Sequence, residues 1–202
     1  MGDFSQNGII SNLHDFGTKT TADIEKELVK FSKERKMELI LPSLYSELKG
    51  DALPNIVKQI SETKYLNHII VGLDKASKVE AVKAWKFFKK LNTPFTILWN
   101  DGPRLKKLHE ELKEKDLAPS EMGKGRNVWY CLGMCIARDE ARSVALHDCD
   151  IKTYDRRMLA KLFYPVVNPF FNFEFCKGYY PRIAKGKMNG RVARLLVFPL
   201  LN

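Results

Sequence analysis

The sequence has no apolar run long enough to span a bilayer. Its opening residues, Met1-Gly2-Asp3-Phe4-Ser5, lack the charged-then-apolar pattern of a secretory leader. The four cysteines, at 131, 135, 149 and 176, follow none of the close paired spacings of a zinc ribbon or a disulfide scaffold. No Gly-Lys-Ser or Gly-Lys-Thr occurs, which excludes a Walker phosphate loop. Glycine (12) and proline (9) are too sparse for a collagenous or low-complexity chain. What remains is a soluble, reduced, cytoplasmic chain of 202 residues, enough for one good core.

Charge is present but unevenly placed. The net +10 divides into +3 over residues 1–100, −1 over 101–150 and +8 over 151–202. A basic, aromatic-rich last third calls for an anionic partner, either a ligand or an acidic surface elsewhere. Nucleic acid has to be weighed as that partner.

Hydrophobic periodicity predicts a helix over Thr21–Lys36 behind a Thr20/Asp23 capping box, and a short strand at Leu39-Ile40-Leu41 closed by Pro42. A helix over Leu53–Thr63 and a strand at His68–Val71 ending at Gly72 come next. Then follow a basic helix over Ser77–Lys90, a strand over Phe95–Trp99 and a charged helix over Leu105–Lys115. Gly123-Lys124-Gly125 opens a helix over Asn127–Ala137, and Ser143–Leu146 reads as a fourth strand. A helix around Arg156–Phe163 leads into extended, aromatic-rich chain. Four short strands alternating with helices imply an α/β fold with a mainly parallel, doubly wound sheet.

Such sheets bind ligands beyond the carboxyl ends of their strands, where polar residues gather here. They are Pro42 to Glu47, Gly72 to Asp74, Asn100 to Gly102, and Asp148 to Asp150. Asp148 and Asp150, two residues apart on extended chain, point to one side and suit a hard cation such as Mg²⁺ or Mn²⁺ with a diphosphate. Gly123-Lys124-Gly125 can aim backbone N–H groups and an ammonium at a phosphate, or serve only as a helix entry. Cys131 and Cys135 share a helical face with apolar neighbours and read as buried thiols. His147 reads as a structural histidine more readily than as a metal ligand. Arg191 and Arg194, beside Gly190, can clamp an anion if their segment is helical or looped.

Together these residues resemble the glucosyl-3-phosphoglycerate synthases, retaining glycosyltransferases of the GT-A (Rossmann-like) fold. The resemblance rests on Leu41-Pro42-Ser43-Leu44-Tyr45-Ser46-Glu47, Gly123-Lys124-Gly125, the Asp148-Cys149-Asp150 triplet, Lys177-Gly178-Tyr179-Tyr180, and Gly190-Arg191-Val192-Ala193-Arg194-Leu195-Leu196. It implies metal-dependent transfer of glucose from a nucleotide diphosphate sugar, such as UDP-glucose, to 3-phosphoglycerate. Pro42, Ser43, Leu44 and Glu47 are then expected at the base and ribose, with Gly72, Asp74 and Cys149 completing the nucleotide-sugar pocket. Lys124 is expected near the diphosphate and sugar, Asp148 at the donor sugar and Asp150 on the metal. Gly190, Arg191, Val192, Ala193 and Arg194 are expected to hold the acceptor. Ala193 stands where the family often has Thr, and the family's downstream metal-binding His is not in this sequence.

The expected organisation is an N-terminal helical segment (1–36), a nucleotide-sugar region (37–150) and a basic acceptor region (151–202) that continues in a longer protein. A homo-oligomer is expected, and neither a membrane nor nucleic acid as partner. The alternatives are a relative acting on glycerate or another acceptor, a haloacid-dehalogenase-type phosphatase with Asp148 as nucleophile, and a basic nucleic-acid-binding module. The phosphatase pattern wants Thr two residues after the second Asp, where this chain has Lys152.

Overall fold

A computed structural model describes residues 18–171 and 173–178, and the backbone of 182–184 and 187–189. Its elements run α1 (Thr21–Phe31), β1 (Met37–Leu44), a 3₁₀ turn (Tyr45–Lys49), α2 (Ala52–Ser61), β2 (Leu66–Asp74), α3 (Lys78–Phe88) and β3 (Phe95–Trp99). They continue with α4 (Pro103–Lys113), α5 (Lys124–Arg138), β4 (Ser143–Leu146), α6 (Arg156–Val167), β5 (Arg182–Ala184) and β6 (Lys187–Asn189). The first four strands form one sheet in the order β3-β2-β1-β4, and every pair in it is parallel. Strand order reverses between β1 and β4. That reversal opens a crevice beyond their carboxyl ends, the usual ligand position in such sheets.

Register sorts the side chains into two layers. Ile40 pairs with Ile70, and both meet Cys131 and Cys135 of α5, with Leu98 and Met134 packed alongside. Leu39 and Leu41, fully buried, alternate to the opposite face, where Leu39 lies in register with Ala145 and α6 packs on β4 and on α1. The cysteines behave as apolar filler: burial first, then the neighbouring charge, raises both the Cys131 and Cys135 thiols to about 12.

Several boundaries differ from expectation for local reasons. α1 stops at Phe31 rather than Lys36, because the backbone carbonyl of Lys36 accepts the N–H groups of Arg142 and Ser143 at the start of the sheet. β1 continues through Pro42 to Leu44. Ile40 accepts from the His147 N–H, so the backbone of residue 42, two places on, faces the same way, past the end of β4. No partner there needs the N–H that proline lacks. α5 begins at Lys124, three residues before the expected start, and α6 runs on to Val167 with Pro165 inside it.

Thr20–Cys176 make one compact unit. The divisions expected at residues 36 and 150 fall inside it, since α1 packs on α6 and Arg35 donates to the Val167 carbonyl at 3.2 Å. The antiparallel β5–β6 pair belongs to a second unit. Among the described residues, no helix is long and apolar enough to cross a membrane.

Candidate functional site

The crevice is built from three strand ends and one helix start. At the end of β1, Ser43 is buried and its hydroxyl donates to the Leu44 carbonyl at 3.1 Å. The chain then turns, and the Glu47 carboxylate accepts the Leu44 N–H at 2.9 Å, closing the turn. Burial raises the Glu47 pKa, while Leu44 and Ser43 lower it. Asp150 adds to the rise and Lys124 opposes it, which sets Glu47 in the field of both.

At the end of β4 the strand alternation continues past its last ladder pair. His147 and Cys149 turn inward, Asp148 is half-buried and Asp150 is exposed. This leaves both carboxylates less buried than their neighbours, with Asp150 in a turn rather than on the extended chain expected for the pair. Cys149 is an inert thiol: burial raises its pKa, and Glu47, Asp148 and Asp150 add to that effect. His147 is packed against the Tyr154 ring at 5.3 Å. Burial lowers its pKa to about 4 against the opposing pull of Asp148, which favours the neutral imidazole.

α5 delivers Lys124 to this place. Its cap residue, Gly123, has φ 143° and ψ −165°, a backbone geometry that glycine alone adopts easily. The Lys124 ammonium bonds the Asp148 carboxylate, with the two side chains 56% and 45% exposed. No side chain caps the first turn of α5, unlike α1 and α3, which carry full capping boxes. Helix start, ammonium and both aspartates therefore share one edge of the sheet.

The end of β2 is built differently. Gly72 is packed so closely by α5 that a Cβ there would stand 1.7 Å from Asn127 Oδ1 and 2.7 Å from Cys131 Sγ. The Asn127 amide donates to the Gly72 carbonyl and to Asp74 Oδ2, both at 2.9 Å. Asn100 donates to the other Asp74 oxygen at 2.7 Å. Asp101 accepts the Ala76 N–H at 3.0 Å, and the Trp99 indole donates to the Ala76 carbonyl at 2.8 Å. Asn100 belongs to the expected strand-end group Asn100 to Gly102, whereas Asn127 is a residue that the motifs pass over. Its one sequence signal is a polar residue on the buried 127/131/135 stripe of α5.

The described residues hold no cluster of three His, Cys, Asp or Glu side chains able to cage a metal by themselves. Asp148 and Asp150 fit the other mode, in which one or two carboxylates hold a hard cation and phosphate oxygens complete its shell. The expected acceptor residues Gly190, Arg191, Val192, Ala193 and Arg194 lie outside the described residues.

The chain is 44% identical over 201 residues to a glucosyl-3-phosphoglycerate synthase of Persephonella marina, covering 100% of this chain and 50% of that protein. It is 37% identical over 196 residues to the enzyme of that name from Methanococcoides burtonii, covering 96% and 48%. The likeness to the glucosyl-3-phosphoglycerate synthases holds along the whole chain. The chain spans about half the length of these curated relatives. No family model matches it. Among solved structures, the glucosyl-3-phosphoglycerate synthase of Mycobacterium tuberculosis in complex with uridine diphosphate aligns with a TM-score of 0.54 and 19% identity, covering 94% of this chain and 55% of that one. The expected glycosyltransferase fold, a parallel sheet flanked by helices, is therefore the one present.

Proposed function

We propose that this chain supplies the nucleotide-sugar half of a glucosyl-3-phosphoglycerate synthase, which transfers glucose with retention from a nucleotide diphosphate sugar to 3-phosphoglycerate. The observation that carries the reading is the meeting of Lys124, Asp148, Asp150 and Glu47 at the β1–β4 crevice. The chain-long identity to synthases of that name supports it. Pro42, Ser43, Leu44 and Glu47 form the wall against the base and ribose. Lys124 is poised to leave Asp148 for the diphosphate, where its charge offsets that developing on the leaving group. Asp150, with Asp148 beside it, would hold a divalent cation, Mg²⁺ or Mn²⁺. Such an ion, when bound, supplies further neutralisation of the leaving diphosphate. Arg191 and Arg194 hold the anionic acceptor, which gives the +8 of residues 151–202 its counterpart. The four cysteines are free of disulfides, three of them buried, which suits the cytoplasm.

Calorimetric titration of UDP with and without Mg²⁺, on the native chain and on Asp150→Ala, tests this. Mg²⁺ should tighten binding in the native chain and do nothing in the variant. An unchanged metal response in Asp150→Ala would remove Asp150 from the role. Glucosyl transfer from UDP-glucose, offered 3-phosphoglycerate and glycerate side by side, then reads the acceptor.

A further inference from the structure

Asp74 ends β2 almost buried, a charged group that costs heavily to desolvate unless it is fully met. Two amides meet it from different directions. Asn127 comes from α5, at 2.9 Å to Oδ2, and Asn100 from the end of β3, at 2.7 Å to Oδ1. A carboxylate accepts only, so each amide must present its nitrogen, and the orientation of both side chains is fixed by chemistry. Asn127 is doubly engaged, since the same nitrogen also donates to the Gly72 carbonyl at 2.9 Å. The missing Cβ of Gly72 is what lets it come so near. Each carboxylate oxygen keeps a further lone pair. Asn100 keeps its own Oδ1 buried and without a hydrogen-bond partner among the described residues, an unmet acceptor of the kind that a ligand or a water normally satisfies.

We infer that Asn127 and Asn100 are positioning residues that clamp Asp74 so that its remaining lone pairs accept a hydroxyl or N–H of the donor's nucleoside. The inference rests on the nucleotide-sugar reading above and extends it to Asn127, which no motif marks, and to a defined role for Asn100 of the strand-end group. Asn127 lies one turn beyond Lys124 on α5, so the helix that aims the ammonium at one end of the donor also holds the acceptor carboxylate at the other. The clamp acts through Asp74, and that sets it apart from a general packing role.

A double-mutant cycle decides between the two. UDP is titrated in Mg²⁺ against the native chain, Asp74→Asn, Asn127→Ser and the double variant, with a melting curve for each. Losing a hydrogen bond to a charged group predicts roughly tenfold weaker binding in Asn127→Ser. Asp74→Asn should lose at least as much, and the double variant should bind no worse than Asp74→Asn alone. The ratio of affinities with and without Mg²⁺ should stay native in Asn127→Ser, because the metal end is untouched. Losses that multiply in the double variant, or native affinity in Asn127→Ser, overturn the clamp. If Asn127→Ser fails to fold, Asn100→Ser runs the same cycle from the β3 side, away from α5. A native chain that binds no UDP overturns the nucleotide-sugar reading and the clamp with it. Native binding with indifferent variants overturns the clamp alone.

Discussion

The two sides of the crevice are made by opposite means. On the β2–β3 side, Asp74, Asn100 and Asn127 are buried and tied to one another at 2.7–2.9 Å, with Asp101 and Trp99 bracing the next loop. On the β4–α5 side, Lys124 and Asp148 are about half exposed and Asp150 is exposed. Groups that are buried and bonded to one another cannot rearrange cheaply, since breaking one bond leaves a further desolvated orphan. Exposed ion pairs exchange partners at little cost, because water and salt have already weakened them. One side is therefore preformed for shape and hydrogen bonding, and the other is free to trade its internal ion pair for a metal and a diphosphate.

That contrast fails most visibly if the preformed side can absorb extra bulk. Gly72→Ala would put a Cβ 1.7 Å from Asn127 Oδ1, in a region with no room to give. Overpacking of this kind costs about 1–3 kcal/mol, and the closeness of the approach places this case at the upper end. At roughly 2–4 °C per kcal/mol for a chain of this size, the melting temperature should fall by about 6 °C or more. Gly125, on the other side, faces open space within the first turn of α5. Gly125→Ala should hold or raise stability, by up to about 1 kcal/mol from helix propensity. Equal melting temperatures in the two variants would abolish the distinction between the sides.

Lys124→Met sharpens the comparison from the charged side. The pair it breaks is exposed, so stability should move by less than about 1 kcal/mol in a denaturant midpoint. UDP affinity should nevertheless drop by about tenfold or more, since a charge-assisted contact to the diphosphate is lost. A variant that melts early and binds UDP normally would make Lys124 a structural residue and put the adaptable side in the wrong place.

How far sequence reasoning reaches depends on the range of the interaction. β3 and β4 fall on the expected residues, 95–99 and 143–146, because local signals bound them: Pro94 and Asn100 for one, the charged 138–142 stretch and His147 for the other. The gathering of Asp148, Asp150 and Lys124 at one edge of the sheet was legible because a strand end and a helix start are local features. Pro42 misled, because whether a strand tolerates proline depends on where its neighbour ends, and that is a tertiary fact. Asn127 was invisible for the same reason: its partner Asp74 is 53 residues away in sequence, and Asn100 lies 26 from it. A buried Asn among Cys131, Cys135 and Tyr130 was the only trace it left.

The smallest expected effect concerns protons, and it belongs to the sheet rather than to the crevice. His68 lies buried on β2, its Nε2 2.9 Å from the Thr96 hydroxyl. Burial lowers its pKa, and Arg138 adds to this, while Glu38 and Glu140 oppose. The native state therefore holds the imidazole neutral at pH values where the unfolded chain has begun to bind a proton. Stability from this group is fully present above about pH 6.5, the unfolded value, and is lost as pH falls below it. His147, lowered to about 4, acts in the same direction. The urea midpoint of the native chain should fall between pH 7 and pH 5. In His68→Gln, which keeps a hydrogen-bonding group for Thr96 but cannot titrate, the fall should be shallower by the share His68 carries. Parallel slopes in the two chains would mean that His68 protonates in place, and that the sheet beneath the preformed side of the crevice is less dry than its neighbours imply.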